Sequence, residues 1–256
     1  MPSSSDRLKN TVIELARKLR PAMTPINEQF SYHLLQPVAE EDLRQYLHDP
    51  ITALPPNVTH LLPKIGIVLA AYLERPAAKG AATVVSVKPV DDKLALSASI
   101  DNGASATLFF TVKDEQVADY HYFLYDEIAG LLTSRLTESI SEAWQRVLRE
   151  ELSAEVHGEV DERSWRQKQA LLRRPMAARR DGKPFRDYSR DSFRDTMTLF
   201  LHGICCDIDV ETGPRQIPSR LLRKRLELLR DIFPPPEGHG VFPEDLHHKN
   251  SKSRRR

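Results

Sequence analysis

The sequence predicts an α+β protein that is predominantly helical, with a small three-stranded antiparallel meander sheet and a disordered basic C-terminal tail. Three observations carry this prediction. Apolar residues recur with a helical period along most of the chain, the period changes to two between residues 83 and 112, and aliphatic residues become scarce from residue 233 onward. Hydrophobic residues make up 40% of the 256 residues, which is enough to build a core.

Helices are predicted for the N-terminal part of the chain. They cover residues 6–20, a short stretch after Pro37, and residues 58–74. The first helix is amphipathic, because Leu8, Val12, Leu15 and Leu19 recur at steps of three and four. The last is almost continuously apolar, and its length favours a buried helix, broken near Pro63, over a strand.

Three strands are predicted where the period changes to two. They cover residues 83–90, 93–100 and 106–112 and are rich in β-branched side chains. Short turns at residues 90–93 and at Asn102-Gly103 separate them. An Asn-Gly pair tolerates the positive φ of hairpin turns, so the strands are expected to form an antiparallel meander.

The C-terminal half of the chain is predicted to be helical again. A long helix runs from about residue 124 to at least 156, and the pattern extends towards Leu172 with Gly158 as a candidate break. Another helix begins with Ser192 as its cap, and a last one covers residues 218–232.

The chain divides by composition into four segments. Residues 1–172 form an acidic section that holds the first helices, the sheet and the long helix, and residues 173–191 form an exposed basic connector. Residues 192–232 form a C-terminal helical section, and residues 233–256 form the disordered basic tail. Within that tail, residues 241–246 are a hydrophobic and acidic island that fits a docking peptide for another protein.

The formal net charge of +1 conceals an uneven distribution of charge. Residues 1–162 hold 15 basic and 24 acidic residues, a balance of −9, whereas residues 163–256 hold 22 basic and 12 acidic residues, a balance of +10. Such asymmetry is typical of a region that faces a polyanion. It also fits cations that pair with the acidic half, and it fits head-to-tail association of two copies.

The basic connector and the last predicted helix supply the candidate polyanion-binding residues. These are Arg173, Arg174, Arg179, Arg180, Lys183, Arg186, Arg220, Arg223 and Lys224. Arginine dominates the connector, and a guanidinium binds phosphate oxygens through two parallel hydrogen bonds. Phe185 and Tyr188 lie between these cations and offer stacking surfaces, which favours RNA or single-stranded DNA.

A catalytic alternative rests on Glu150, His157 and Asp161. On one continuous helix these residues share a face, and a histidine among carboxylates is suited to act as a general base. This trio would make the protein a hydrolase or a nuclease. The competing interpretation is a solvated acidic helix end with an incidental histidine.

Other chemistries lack their motifs in this sequence. It contains no G-x-x-x-x-G-K and no G-x-G-x-x-G, so nucleotide-dependent roles are not predicted. His202 and Cys206 have the spacing of two metal ligands on one helix, but a structural zinc site uses four, so no metal and no cofactor is predicted.

The expected location is the cytoplasm, and no membrane association is expected. No stretch approaches the ~18 consecutive apolar residues of a membrane span. Cys205 and Cys206 are adjacent, which is a poor geometry for a disulfide and fits a reducing compartment.

The sequence therefore predicts a non-enzymatic cytoplasmic protein that binds a polyanion, with nucleic acid as the first candidate, through its Arg-rich connector. Two alternatives remain open. One is a protein that uses its charge asymmetry for self-association or to bind a protein partner. The other is the hydrolase or nuclease described above.

Overall fold

A computed structural model describes residues 10–76, 78, 80–90, 92–173, 182–206 and 215–245. Its helices are α1 (Val12–Leu19), α2 (Glu40–Leu43), α3 (Asp49–Thr52), α4 (Pro56–Leu61), α5 (Val117–Thr133), α6 (Glu138–Ser153), α7 (Glu162–Leu172), α8 (Lys183–Cys205) and α9 (Ser219–Ile232). Its strands are β1 (Thr24–Pro25), β2 (Phe30–Leu34), β3 (Lys64–Ala70), β4 (Tyr72–Glu74), β5 (Val84–Ser86), β6 (Leu94–Ala95), β7 (Ser97–Asp101) and β8 (Ser105–Thr111). The predicted combination of helices and sheet is confirmed, and the sheet content is larger than predicted.

The chain divides into two compact units. Unit 1 comprises Met1–Ile51 and Leu62–Glu127, and unit 2 comprises Thr52–Leu61 and Ile128–Arg256. The strands all belong to unit 1, within the part of the chain that the structure describes. Unit 2 is helical throughout its described ranges, apart from loops and one isolated β-bridge.

Unit 1 contains a five-stranded mixed sheet in the order β1-β2-β3-β8-β7. Strand β3 lies at its centre and pairs in parallel with both β2 and β8. Its side chains from Ile65 to Ala70 are buried on both faces of the sheet. The prediction of a buried helix over residues 58–74, broken near Pro63, therefore holds only at its start, where α4 ends at Leu61, and is wrong from residue 64 onward. A central parallel strand is apolar on both faces, so it shows no alternation and resembles a buried helix in sequence.

The predicted meander is confirmed only in part. Strands β7 and β8 form the expected antiparallel hairpin, and Gly103 in its turn has a φ of +81°. Strands β5 and β6, however, each pair with β4 in a separate three-stranded antiparallel sheet. The single three-stranded meander is thus incomplete as a description, because β4 came from the region predicted to be helical.

Helix α1 confirms the predicted amphipathic N-terminal segment. Thr11 and Glu14 form a capping box at its start, in which each side chain accepts a hydrogen bond from the other residue's backbone N–H. Its buried face, which includes Leu15 and Leu19, belongs to the same core cluster as Val68 of β3. Residues 1–9, which include the predicted Leu8, lie outside the described part of the chain.

The predicted long helix from residue 124 to at least 156 is two helices, α5 and α6. Thr137 ends the interruption between them, because its side chain accepts the backbone N–H of Ile140 and caps α6. Gly158 is confirmed as the site of a break, since its φ is +86° and α7 begins only at Glu162. The apolar stripe continues across the interruption, which explains why the sequence resembles one helix.

Helix α8 begins earlier than the sequence predicts. It starts at Lys183, with Pro184 in its first turn, whereas residues 173–191 are predicted to be an exposed connector. Ser192 lies buried inside this helix and is not its cap. The charged residues on one side of α8 make its sequence resemble an exposed connector, although Phe185 and Tyr188 on the other side are buried. Residues 174–181 of the predicted connector lie outside the described part of the chain.

Helix α9 matches the predicted last helix. Of the predicted tail, residues 233–245 are described and include two buried side chains, Phe233 and Phe242, while residues 246–256 lie outside the described ranges. Among the described residues, no helix combines the length and the apolar character that a membrane crossing requires.

Candidate anion-binding groove

A groove of about 390 Å³ opens on the surface of unit 2, between the end of α5, α6 and the first half of α8. We call it the basic groove. Its lining residues are Thr133, Leu136, Ser141, Trp144, Gln145, Lys183, Arg186, Asp187, Ser189, Arg190 and Phe193. Helix α8 therefore contributes every charged side chain of the lining.

The helical period of α8 sorts its residues between the basic groove and the interior. Lys183, Arg186, Asp187 and Arg190 follow the spacing of one helix face. The Lys183 side chain is 82% exposed and the Arg190 side chain 58% exposed, so both cations are in contact with solvent. Phe185 and Tyr188, which lie in the same turns, are buried in the core.

The carboxylate of Asp187 pairs with two cations in the basic groove. Asp187 Oδ2 lies 3.2 Å from Lys183 Nζ, and Asp187 Oδ1 lies 3.7 Å from Arg190 Nη2. With Arg186, the lining holds three basic side chains and one acidic side chain, a balance of 3 − 1 = +2. The lining is thus net positive and presents exposed donors for an anion, while Arg190 Nε also lies 3.4 Å from Oδ1 of Asp191, which is not among the lining residues.

The floor of the basic groove is an aromatic pair. The rings of Trp144 and Phe193 meet edge to face with centroids 5.5 Å apart. Trp144 Nε1 donates a hydrogen bond to the Ser189 carbonyl oxygen at 3.2 Å, which fixes α8 against α6. Each of the two residues is only 1% exposed, so they support the groove and do not offer a ring face to a ligand.

A buried ionic cluster lies beneath this floor. Its members are Arg225 of α9, Glu151 of α6, Glu159, Lys168 of α7, and Tyr188 and Ser192 of α8. The Arg225 guanidinium lies 5.6 Å from the centroid of the Trp144 ring, so the cluster directly underlies the groove floor.

The hydrogen bonds of the ionic cluster converge on Arg225 and Glu159. Arg225 Nη2 donates to Glu151 Oε2 at 2.5 Å, and Arg225 Nη1 donates to Glu159 Oε2 at 2.8 Å. Lys168 Nζ lies 3.2 Å from Glu159 Oε1, and the Tyr188 hydroxyl donates to the same oxygen. Two cations thus face two carboxylates, and the cluster is balanced in charge.

The pKa values within the cluster reflect this pairing. Burial raises the pKa of Glu159, but the charge and hydrogen bonds of Arg225, together with Lys168 and Tyr188, outweigh burial and lower this pKa to about 2. Burial lowers the pKa of Lys168, and the charge of Glu159 opposes that effect. Burial and then Glu159 raise the pKa of Tyr188. The cluster holds its charges by mutual pairing and has no exposed reactive atom.

The chain reaches Glu159 through a close backbone contact. The Glu159 N–H donates to the Arg215 carbonyl at 2.8 Å, and the Ile217 N–H donates to the Glu159 carbonyl at 3.1 Å. Gly158 makes this approach possible, because a Cβ at that position would lie 2.2 Å from the Gln216 carbonyl oxygen. The loop between α6 and α7 thereby carries Glu159 into the core.

The structure does not place the predicted catalytic trio on one helix. Helix α6 ends at Ser153, so Glu150, His157 and Asp161 do not share the face of one continuous helix. Glu150 pairs with Lys224 at 2.6 Å, and Asp161 caps α7. His157 is exposed.

The predicted polyanion-binding residues divide into three groups. Lys183 and Arg186 line the basic groove, while Arg173 and Arg220 are exposed elsewhere on unit 2. Arg223 and Lys224 pair with acidic side chains. Arg174, Arg179 and Arg180 lie outside the described residues.

Two predicted stacking surfaces are buried in the structure. Phe185 and Tyr188 are both 0% exposed, and the Arg149 guanidinium lies 4.0 Å from the centroid of the Phe185 ring. The suggestion that these rings stack on bases is therefore wrong.

Sequence reasoning also missed Arg190 as a groove residue, although its spacing of seven from Lys183 indicates a common helix face.

No protein-family model matches this sequence, no curated protein matches it, and no solved structure matches the fold.

Proposed function

We propose that this protein is a non-enzymatic binding protein for a polyanion, specifically a nucleic acid strand, which it holds in the basic groove of unit 2. One observation carries the proposal. Lys183, Arg186 and Arg190 line a single groove in which Asp187 is the one acidic side chain. Phosphates spaced along a strand suit such a row of exposed cations.

The chemistry of the groove favours contacts to phosphate over contacts to bases. Guanidinium groups form bidentate hydrogen bonds with phosphate oxygens, and the Asp187 ion pairs are exposed enough to exchange for such contacts. The aromatic floor is buried and provides no stacking platform. We therefore expect binding that depends steeply on salt and little on sequence.

The geometry gives less support to hydrolysis. The ionic cluster is buried and its carboxylates are occupied by Arg225 and Lys168. Glu150 and Asp161 serve an ion pair and a helix cap. As part of the proposal we place the protein in the cytoplasm, because Cys205 and Cys206 form no disulfide.

Binding to labelled oligonucleotides tests the proposal. Fluorescence anisotropy with 12-nucleotide single-stranded RNA, single-stranded DNA and a duplex is measured on the full chain at several salt concentrations. We expect the variant Lys183→Gln/Arg186→Gln/Arg190→Gln to bind at least ~10-fold more weakly, with a salt slope reduced by about two to three phosphate contacts.

A matched control removes the same charge outside the groove. Arg44, Arg166 and Arg215 are exposed and paired with surface carboxylates, so Arg44→Gln/Arg166→Gln/Arg215→Gln should keep its affinity within about threefold. Equal losses in both triple variants, or no binding by the wild-type chain at low salt, would overturn the proposal.

Self-association and binding of a protein partner through the charge asymmetry stay predictions. Light scattering on the same samples, over a hundredfold range of protein concentration, separates self-association from nucleic-acid binding. A mass that rises with concentration in the absence of oligonucleotide would support assembly.

A further inference from the structure

The chain returns to α9 after that helix ends. Residues 233–245, which we call the C-terminal strap, begin at the buried Phe233, pass three consecutive prolines and bring Phe242 onto the side of α9. Phe242 is 7% exposed, and it is the one buried side chain between residues 234 and 245, all of which the structure describes.

The strap contacts two arginines of α9. Arg223 and Arg230 are seven residues apart, which places them on one side of α9 two turns apart. The Arg223 Cζ atom lies 4.4 Å from the centroid of the Phe242 ring, and the Arg230 Cζ atom lies 5.4 Å from it. Two cations thus flank one aromatic ring.

Acidic residues of the strap complete the contact. Glu244 pairs with Arg223 Nη2, and Asp245 Oδ1 lies 3.2 Å from Arg230 Nη1. Arg223 Nε also donates to Glu227 of α9 at 3.0 Å. The hydrogen bonds of Glu244 and then of Glu227 raise the pKa of Arg223, so this cation is held firmly in its charged form.

The strap presents to α9 the groups that a nucleic acid strand would present. Carboxylates occupy the guanidinium donors that phosphates would bind, and a flat ring lies against the cations as a base would. We propose that Arg223 and Arg230 form a second nucleic-acid contact surface and that the strap masks it, so that release of the strap strengthens binding. This inference rests on the proposed function of the basic groove.

The structure makes release of the strap by a strand of nucleic acid physically reasonable. The ion pair between Arg223 and Glu244 is about half exposed on each side, so solvent and competing anions reach it. Residues 234–245 have one buried side chain, Phe242, and their two ion pairs with α9 are at the surface. Segments with few buried contacts open locally without unfolding the remainder of the protein.

The variant Phe242→Ala tests the masking without changing the net charge. In the anisotropy assay we expect it to bind single-stranded RNA about three- to tenfold more tightly than the wild-type chain, with a salt slope steeper by about one to two phosphate contacts. In the Phe242→Ala background, Arg223→Gln/Arg230→Gln should abolish this gain, whereas in the wild-type chain the same pair of changes should alter affinity by less than twofold.

Two controls check that the effect comes from the strap. Val87 of unit 1 is 77% exposed, so Val87→Ala should leave binding unchanged. A synthetic peptide of residues 238–245 added to the Phe242→Ala protein should compete with the RNA, and the same peptide carrying Phe242→Ala should not. Circular dichroism confirms that each variant keeps its helix content.

The outcomes separate this inference from the proposed function. Tight binding that depends on Lys183, Arg186 and Arg190 but is unaffected or weakened by Phe242→Ala would overturn the masking alone. Loss of affinity from Arg223→Gln/Arg230→Gln to the same extent with and without Phe242 would also overturn it. Failure of every variant and of the wild-type chain to bind would overturn both.

Discussion

Arg225 lies at the centre of the buried ionic cluster of unit 2. It is 0% exposed and carries a full charge between Glu151 and Glu159. Burial of a charge is costly, and pairing offsets that cost only while both partners are present. Loss of the arginine would leave two carboxylates buried with Lys168 as the remaining cation of the cluster.

Replacement of Arg225 by methionine should therefore destabilise unit 2 severely. We expect Arg225→Met to lower the free energy of unfolding by about 3–5 kcal/mol, because it breaks a buried pair from one side. Urea unfolding followed by tryptophan fluorescence reports this unit specifically, since the protein's two tryptophans, Trp144 and Trp165, both belong to it. Arg220→Met, at an exposed position of the same helix, should change stability little. A comparable loss there would show that the effect of Arg225→Met does not come from the buried ion pairs.

Asp195 gives unit 2 a pH dependence of opposite sign to that of Glu159. Burial raises the pKa of Asp195 to about 6, although the Ser164 N–H donates to its Oδ2 at 2.9 Å and Arg163 Nε lies 3.3 Å from its Oδ1. The folded protein binds more protons than the unfolded chain between the ordinary pKa of 3.8 and about 6. This group's contribution to stability is therefore fully present below pH 4 and is lost as the pH rises through 6.

The variant Asp195→Asn isolates that contribution. The difference in unfolding free energy between variant and wild type should move in favour of the variant by about 2–3 kcal/mol as the pH rises from 4 to 7. Urea unfolding at half-unit pH steps measures it. A difference that stays constant over this range would show that Asp195 does not titrate there.

At the scale of elements, the loop between α6 and α7 sets the depth of Glu159. Gly158 has a φ of +86° and lies against the Gln216 backbone, so Gly158→Ala combines a strained backbone with a steric clash. Gly238 has a φ of +87° with no atom within 4 Å of an added Cβ, and it belongs to the same unit.

The two glycines form a matched pair for measuring the clash. Gly238→Ala should cost no more than about 1 kcal/mol, because its backbone strain falls in a segment that opens locally, and Gly158→Ala should cost at least ~2 kcal/mol more. Tryptophan fluorescence during urea unfolding compares them. Equal costs would mean that the chain near Gln216 moves aside, and the close approach would then not position Glu159.

The sequence predicts local elements well and long-range partners poorly. Helix α1 and the β7–β8 hairpin follow from the spacing of apolar residues and from the Asn-Gly turn. Strand β3 does not, because burial on both faces removes the alternation that identifies strands.

The candidate site shows the same division. Lys183 and Arg186 are recognisable as cations, but their place on α8 depends on an inward face whose polar members, Tyr188 and Ser192, resemble loop residues in sequence. In the sequence, Arg225 looks like any other exposed basic residue of an Arg-rich helix. Its partners Glu151 and Glu159 lie 74 and 66 residues away, and no local pattern joins them.

At the scale of the whole molecule, ion pairs within unit 2 neutralise part of the charge asymmetry. Acidic residues from the end of the acidic half pair with basic residues of the C-terminal half, namely Glu150 with Lys224, Glu151 with Arg225, and Glu162 with Arg215. In the basic groove, Asp187 pairs with Lys183 and Arg190, Arg190 also pairs with Asp191, and Arg186 lines the same groove. A polyanion bound in the groove, as proposed, would add counter-charge to these side chains.

Binding in the groove should consequently stabilise unit 2 in the intact chain. A ligand that binds only the folded state at a free concentration of 100 times its Kd raises the unfolding free energy by about 2.7 kcal/mol. We expect this increase for single-stranded RNA, measured by tryptophan fluorescence, and we expect added salt to diminish it in parallel with the binding constant. At the same RNA concentration, Lys183→Gln/Arg186→Gln/Arg190→Gln should show about half of the increase or less, because its affinity is at least ~10-fold lower. An equal increase in the wild-type and variant proteins would place the nucleic acid elsewhere on the molecule.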